Sequence, residues 1–128
     1  MLSFLFLVSP FEGEEIFLDL PLFTWTPVTP LSPYGVYRIQ IVEILGPQTS
    51  YEAFRANPLF YESTNLRTNL FQYPIAARSL DPCATYAWRV SYELEERFTG
   101  GFIKEPSAFQ QSELWTFITA CDEEEEEK

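Results

Sequence analysis

The stretch Leu80–Tyr92, LDPCATYAWRVSY, constrains the fold more than any other part of the sequence. It opens with a turn at Asp81–Pro82, where the proline ring presets one backbone angle. The alternation that follows predicts a strand with Tyr86, Trp88 and Val90 on one face. A tyrosine a few residues after a turn, at the start of a strand, suits a tyrosine corner. In that arrangement the ring is buried and the hydroxyl bonds to a nearby backbone group.

The rest of the chain fits one all-β domain of short strands. Its 128 residues suit a single core, and 17% aromatic residues are typical of a folded protein. Prolines are spread along the chain and mark frequent turns. We therefore expect one domain over residues 1–121. Residues 122–128 are interpreted as an acidic tail or a truncated linker.

The strands can be assigned from alternation and turn residues. Thr49–Asn57 interrupts them with helical spacing, and Ser50 is the expected helix cap. Glu14 and Glu15 are expected in a turn around Gly13, and Ile16–Leu18 in a short extended piece. The predicted strands are A (2–8), B (21–27), C (36–45), E (68–73), F (the part of 80–92 that follows the turn) and G (112–120).

Several motifs, taken in order, resemble fibronectin type III domains. The pattern Leu-x-Pro-x-x-x-Tyr-x-x-x-Val is filled by Leu80, Pro82, Tyr86 and Val90. A closer likeness is to such domains in exported multidomain proteins of Bacteroidetes-type bacteria. The further motifs that carry this likeness are Phe23–Pro27 (F-x-W-x-P), Tyr37–Ile44 (Y-x-x-x-I-V-E-I), Tyr51–Phe60 (a helical insertion running into N-P-x-F) and Tyr86–Val90 (Y-A-W-x-V).

The resemblance implies a seven-stranded immunoglobulin-like (fibronectin type III) β-sandwich with a short helical insertion after strand C. Strands A, B and E would face strands C, F and G. It also implies an extracytoplasmic location, in the periplasm, at the cell surface or secreted. The expected core consists of Phe23, Trp25, Tyr37, Ile39, Ile41, Phe71, Leu80, Tyr86, Trp88, Val90, Trp115 and Phe117.

Charge and the N-terminus limit the partners. The net charge of −11 opposes contact with nucleic acid and with anionic membrane surfaces, although Asp122–Glu127 supply six of the acidic charges. The run Glu123–Glu127 is interpreted as solvated, with calcium or a basic partner as the alternatives.

The apolar start, MLSFLFLVSP, is too short to span a bilayer and lacks a basic region. It is either a first strand or a piece of a signal sequence.

The sequence contains no recognisable catalytic constellation. Histidine is absent, and the two cysteines lack metal-ligand spacing. Glu14–Glu15 and Glu95–Glu96 are expected in solvated turns rather than in an acid–base pair. Gly100–Gly101 is not followed by the Gly-Lys-Ser/Thr of a phosphate loop. We therefore expect no enzyme activity, no cofactor and no metal site.

The long connection between strands F and G, Glu95–Gln111, is the predicted binding region. It carries Phe98, Phe102, Ile103 and Phe109 beside two glycines. These aromatics either bind a partner or fold back over the end of the sandwich. The expected function is a non-catalytic structural or protein-binding module of a larger exported protein. The partner would be a neighbouring domain or another protein, and the alternatives are a carbohydrate-binding module and an accessory domain of an enzyme.

Cys83 and Cys121 are the candidate disulfide. Cys83 lies just before strand F and Cys121 just after strand G, which should be antiparallel neighbours. Pairing near Leu94 and Glu113 would place a residue near 86 opposite one near 121. The alternative is two unpaired thiols. A disulfide would imply an oxidising compartment.

Overall fold

The computed structural model describes residues 5–17, 20–28, 35–94 and 110–121. These residues form a sandwich-like arrangement of two β-sheets with one short helix. The elements are β1 (Leu7–Ser9), β2 (Glu14–Ile16), β3 (Leu22–Trp25), β4 (Gly35–Ile44), α1 (Ser50–Ala56), β5 (Tyr61–Leu66), β6 (Leu70–Gln72), β7 (Thr85–Leu94), β8 (Gln110–Gln111) and β9 (Trp115–Thr119).

The smaller sheet has the strand order β1-β3-β6, and the larger one β2-β9-β7-β4-β5 with β8 beside β7. The smaller sheet thus contains the strands predicted as A, B and E, and the larger contains those predicted as C, F and G. The described residues form nine strands, which is three more than the six assigned from the sequence and two more than the seven that the resemblance implies. The additional strands, β2, β5 and β8, are short or polar, so their periodicity is weak in the sequence.

The antiparallel pair β4 and β7 forms the centre of the larger sheet. Its register runs without interruption from Gly35 opposite Leu94 to Ile44 opposite Thr85. On β4 the side chains of Tyr37, Ile39 and Ile41 are buried in the core. The alternation seen in the sequence therefore correctly identified the inward faces of both strands.

Aromatic rings fill the space between the sheets. The Phe23 and Trp88 rings meet edge-on with centroids 4.9 Å apart, and the Tyr86 and Phe117 rings stack at 5.3 Å. Phe71, Leu80 and Trp115 are only partly buried, whereas the other predicted core residues are buried. The prediction missed Tyr92 near the end of β7 and several buried residues of irregular or short segments, which are Leu5, Leu7, Ile16, Val28, Phe60 and Tyr73.

The first strand crosses from one sheet to the other. β1 pairs antiparallel with β3, and after the turn at residues 12–13 β2 pairs parallel with β9. The expected turn around Gly13 is present: the φ of Gly13 is 79°, and its N–H donates to the carbonyl of Thr116. The expectation that the turn includes Glu14 and Glu15 is wrong, because both residues lie in β2.

The polar strand β5 was not predicted, and the predicted strand E is shorter than expected. β5 pairs with β4 and includes Asn65 at a positive φ of 61°. β6 covers only Leu70–Gln72, against the expected 68–73. Tyr61 of β5 meets Phe71 and Tyr73, with ring centroids at 5.9 Å and 5.1 Å. These rings close the side of the sandwich where the two sheets end in β5 and β6.

Gly35 allows a close contact that a side chain would prevent. A Cβ at this position would overlap the Tyr92 ring and hydroxyl. Tyr92 is itself buried and packs against Tyr37, with ring centroids 5.2 Å apart. The Tyr92 ring of β7 lies across the first residue of β4, and this position therefore requires a glycine.

Helix α1 covers the outer face of the larger sheet near its Thr85 end. Ala53 packs on Val42 and Ala87, and all three are fully buried. The cap is Thr49, not Ser50 as expected: the Thr49 hydroxyl accepts from the Glu52 N–H at 3.1 Å. The Glu52 carboxylate accepts from the Thr49 N–H at 2.9 Å, which completes a capping box.

Thr49→Ala should lower the free energy of unfolding by about 1 kcal/mol, because a helical N–H loses its acceptor. Urea denaturation followed by circular dichroism measures the change. Ser50→Ala is the matched control, since Ser50 is the first helical residue and does not form the cap. A larger loss from Ser50→Ala than from Thr49→Ala would contradict the assignment.

Candidate functional site

The turn before β7 has the geometry of a tyrosine corner. Tyr86 is fully buried, and its hydroxyl accepts from the Asp81 N–H at 2.8 Å. Of the other two motif residues, Leu80 is partly buried against the core and Pro82 is exposed. Burial raises the pKa of Tyr86 to about 12, and the hydrogen bond from Asp81 opposes the rise.

Tyr86→Phe should lower the free energy of unfolding by about 1–3 kcal/mol at neutral pH, because the Asp81 N–H loses its acceptor. The pKa is raised in the folded state, so the Tyr86 contribution is complete below about pH 10. It is lost as the pH rises toward the folded pKa of about 12. The variant should therefore show a smaller loss of stability over this range.

The control for that measurement is Tyr51→Phe, since the Tyr51 side chain is 68% exposed on α1. Urea midpoints measured between neutral pH and pH 12 compare the three proteins. If Tyr86→Phe and Tyr51→Phe give the same profile, the hydroxyl of Tyr86 has no structural role.

A disulfide joins the ends of β7 and β9. The structure brings Cys83 and Cys121 together with Cα atoms 4.4 Å apart, and both side chains are exposed. The predicted register was wrong by four residues, because Tyr86 lies opposite Phe117 and not near Cys121. Cys83 nevertheless reaches Cys121, because the observed register places Thr85 opposite Ile118 and so brings Cys83, at a φ of 55°, beside Ala120. The Cys83 N–H donates to the Ala120 carbonyl at 3.3 Å.

The connection predicted to bind a partner lies outside the described residues. Phe98, Phe102, Ile103 and Phe109 all fall in the undescribed range 95–109. Its flanks are described: Leu94 lies opposite Gly35, and Gln110 lies opposite Tyr92. The connection between β3 and β4 also ends at Gly35. Both connections therefore begin or end at the Gly35–Leu94 pair, and we call this part of the molecule the loop end.

Polar side chains form a row across the exposed face of the larger sheet. Arg38 donates to the carboxylates of Glu62 at 3.1 Å and Glu93 at 2.8 Å, and these bonds raise its pKa. Gln40 donates to Glu62 and accepts from Arg89, both at 2.9 Å. The positive charge of Arg38 is thus paired with carboxylates of the neighbouring strands, as expected for cross-strand pairs on a solvated sheet face.

Arg89 occupies a less balanced position at the edge of this row. Its guanidinium lies 4.5 Å from the centroid of the Phe54 ring of α1. Desolvation lowers the pKa of Arg89. The aromatic ring compensates part of that cost by a cation–π contact. The arrangement anchors the helix to the sheet, so we assign it a structural role.

A groove of about 370 Å³ opens on the side of the sandwich where strands β1 and β2 form the sheet edges. Its apolar lining consists of Pro10, Ile16, Phe17, Pro21 and Leu22. Glu14 and Glu15 also line it, and the Glu14 carboxylate accepts from the Phe11 N–H at 2.9 Å. We call this feature the β1–β2 groove. Sequence analysis missed it, because it arises from the crossing of the first strand between sheets. The side chain of Phe17 is 77% exposed, but the sequence alone does not distinguish it from a buried phenylalanine.

No helix among the described residues is long and apolar enough to cross a membrane. In the same part of the chain, no three or more His, Cys, Asp or Glu side chains are grouped so that they could hold a metal ion.

Comparison of the chain with protein-family models, with curated proteins and with solved structures gave no match.

Proposed function

We propose that the chain is a non-catalytic module of the fibronectin type III kind within a larger exported or cell-surface protein. It acts as a spacer or binds another protein through its loop end. The observation that supports this most is the Gly35–Leu94 pair, which gathers two long connections at one end of a rigid sheet pair. Loops presented in this way by a sandwich commonly carry binding.

Two other features support the proposal. The Tyr86–Asp81 hydrogen bond reproduces the corner that the motif Leu-x-Pro-x-x-x-Tyr implies. The disulfide between Cys83 and Cys121 suits an oxidising compartment, since such bonds persist in exported proteins.

Photocrosslinking in the parent protein, expressed in its own cells, tests the proposal. A photoreactive phenylalanine at Phe102 should crosslink to a protein or to a neighbouring domain. The control position is Tyr51, which is exposed on α1 toward the Thr85 end of the larger sheet. Equal crosslinking from the two positions would contradict a binding role for the loop end.

A glycan array distinguishes the carbohydrate-binding alternative. We expect no glycan to be retained by the wild-type domain more than by a variant in which Phe98, Phe102 and Phe109 are replaced by serine. Retention that this variant loses would overturn protein binding in favour of carbohydrate binding, because aromatic platforms stack on sugar rings.

A further inference from the structure

We propose that the β1–β2 groove binds an extended segment of another protein. The segment adds as a short strand to the free edge of β3 and places a lysine or arginine near Glu14 and Glu15. This site lies toward the Thr85 end of β7, since Ile16 is opposite Thr119 and the Thr119 N–H donates to Ala84. It is therefore separate from the loop end, and it does not depend on the function proposed for that end.

The first support is the backbone at the start of β3. β1 ends at Ser9, opposite Thr24, so among the described strands only β6 pairs with Leu22 and Phe23. The bonds from Tyr73 N–H to Pro21 and from Trp25 N–H to Asn69 show that the odd-numbered residues of β3 face β6. By alternation, the N–H and C=O of Leu22 face the opposite side, beyond the end of β1, where no described strand pairs with them. An extended segment can pair with this edge.

The second support is the apolar surface beside that edge. Leu22 is 45% exposed and Phe17 is 77% exposed, although both line a groove with Ile16 and two prolines. On the other side of the sandwich, the rings of Tyr61, Phe71 and Tyr73 close the corresponding gap. The two sides therefore differ in the described residues: on the β1–β2 side a concave apolar surface lies next to the part of β3 that β1 does not pair with.

Charge decides which occupant fits. Glu14 and Glu15 line the groove, and the chain as a whole carries 19 acidic against 8 basic residues. A second copy of this acidic chain would bring repulsion rather than complementarity. An extended segment with alternating apolar residues can pair with the Leu22 backbone and cover the apolar lining of the groove. A nearby lysine or arginine in that segment can pair with Glu14 or Glu15.

Selection from a library of short random peptides displayed on phage tests the proposal. Phage are first depleted on the Leu22→Ser variant and then captured on the wild-type domain. We expect the enriched peptides to alternate apolar residues and to contain lysine or arginine. One enriched peptide is then synthesised with single N-methyl groups. Methylation at alternate residues should weaken binding about five- to tenfold, and methylation at the residues between should have little effect.

Matched variants locate the bound peptide. Leu22→Ser should weaken its binding about tenfold, whereas Leu70→Ser should not, because Leu70 is similarly exposed but lies outside the groove. Glu15→Gln should weaken binding about two- to fivefold. Glu62→Gln changes the net charge equally but lies on β5, so it should have little effect.

Three outcomes would overturn the proposal. The first is the absence of any peptide enriched over the Leu22→Ser variant. The second is an N-methylation profile without alternation, which would exclude strand addition. The third is sedimentation showing a dimer of the wild-type domain that Leu22→Ser dissociates, which would make a second copy the occupant.

Discussion

Replacing both cysteines by serine should lower the free energy of unfolding by about 4 kcal/mol, the largest effect we expect of any change to a side-chain pair. The bond between Cys83 and Cys121 closes a loop with a sequence separation of 38. Without it, the unfolded chain gains the entropy of that loop, while the folded state keeps its β7–β9 pairing. Urea denaturation of the Cys83→Ser/Cys121→Ser variant and of the wild type measures the difference.

The reductant provides the control for this prediction. Adding it should shift the midpoint of the wild type to that of the double variant and leave the variant unchanged. Thiols are counted in denaturant without reductant, on protein prepared under oxidising conditions. Two titratable thiols per chain would refute the bond and remove its support for an oxidising compartment.

Phe117→Ala should lower the free energy of unfolding by about 3–5 kcal/mol, because it leaves a cavity between two aromatic rings. The Phe117 side chain is fully buried, with the Tyr86 ring stacked at 5.3 Å and the Phe23 ring edge-on at 5.7 Å. This loss is a large part of the stability of a typical domain. Phe117→Leu, which keeps most of the volume, should remain folded and show a smaller loss.

The neighbouring residue on the same strand is the control. Ile118 is 38% exposed on the opposite face of β9, so Ile118→Ala should change the stability much less. Similar losses from Phe117→Ala and Ile118→Ala would mean that β9 is shifted by one residue in register, since such a shift exchanges its two faces.

The long strands were predictable from sequence because each buries alternate large side chains. The alternation alone identifies the face of each strand that points into the core. The residues on these faces are Tyr37, Ile39 and Ile41 on β4 and Tyr86, Trp88 and Val90 on β7. The assignment of two facing sheets follows from these strands. The finer assignment to the fibronectin type III kind stays a prediction.

Other elements depend on tertiary contacts that the sequence does not display. β2 is a strand because β9 offers it a parallel edge, although its residues Glu14 and Glu15 favour a turn. The register between β7 and β9 could not be derived from hairpin arithmetic, because it required the position at which Gln110 and Gln111 pair with β7. The sequence did not distinguish Thr49 from Ser50 as the helix cap, because threonine and serine are both good capping residues.

The candidate sites divide in the same way. The corner was found from local spacing, because a turn and a strand start determine it. The cysteine pair was found from the expectation that strands F and G are antiparallel neighbours. The β1–β2 groove was not found, because it consists of residues from three segments that meet only where the first strand changes sheets. The predicted binding residues from Phe98 to Phe109 stay a prediction, since they lie outside the described residues.

The parallel pairing of β2 with β9 and the disulfide together determine how the domain responds to mechanical tension. A pull on the chain before β2, opposed by one after β9, loads the hydrogen bonds between these strands at the same time. These include the bonds from Gly13 to Thr116 and from Ala120 to Ile16. Once those bonds have broken, tension that enters at Cys121 passes through the disulfide to Cys83, and the chain between them, which includes β9, bears none of it. Once stretched, the oxidised domain is therefore shorter than the reduced one by roughly 130 Å, the extended length of that protected segment.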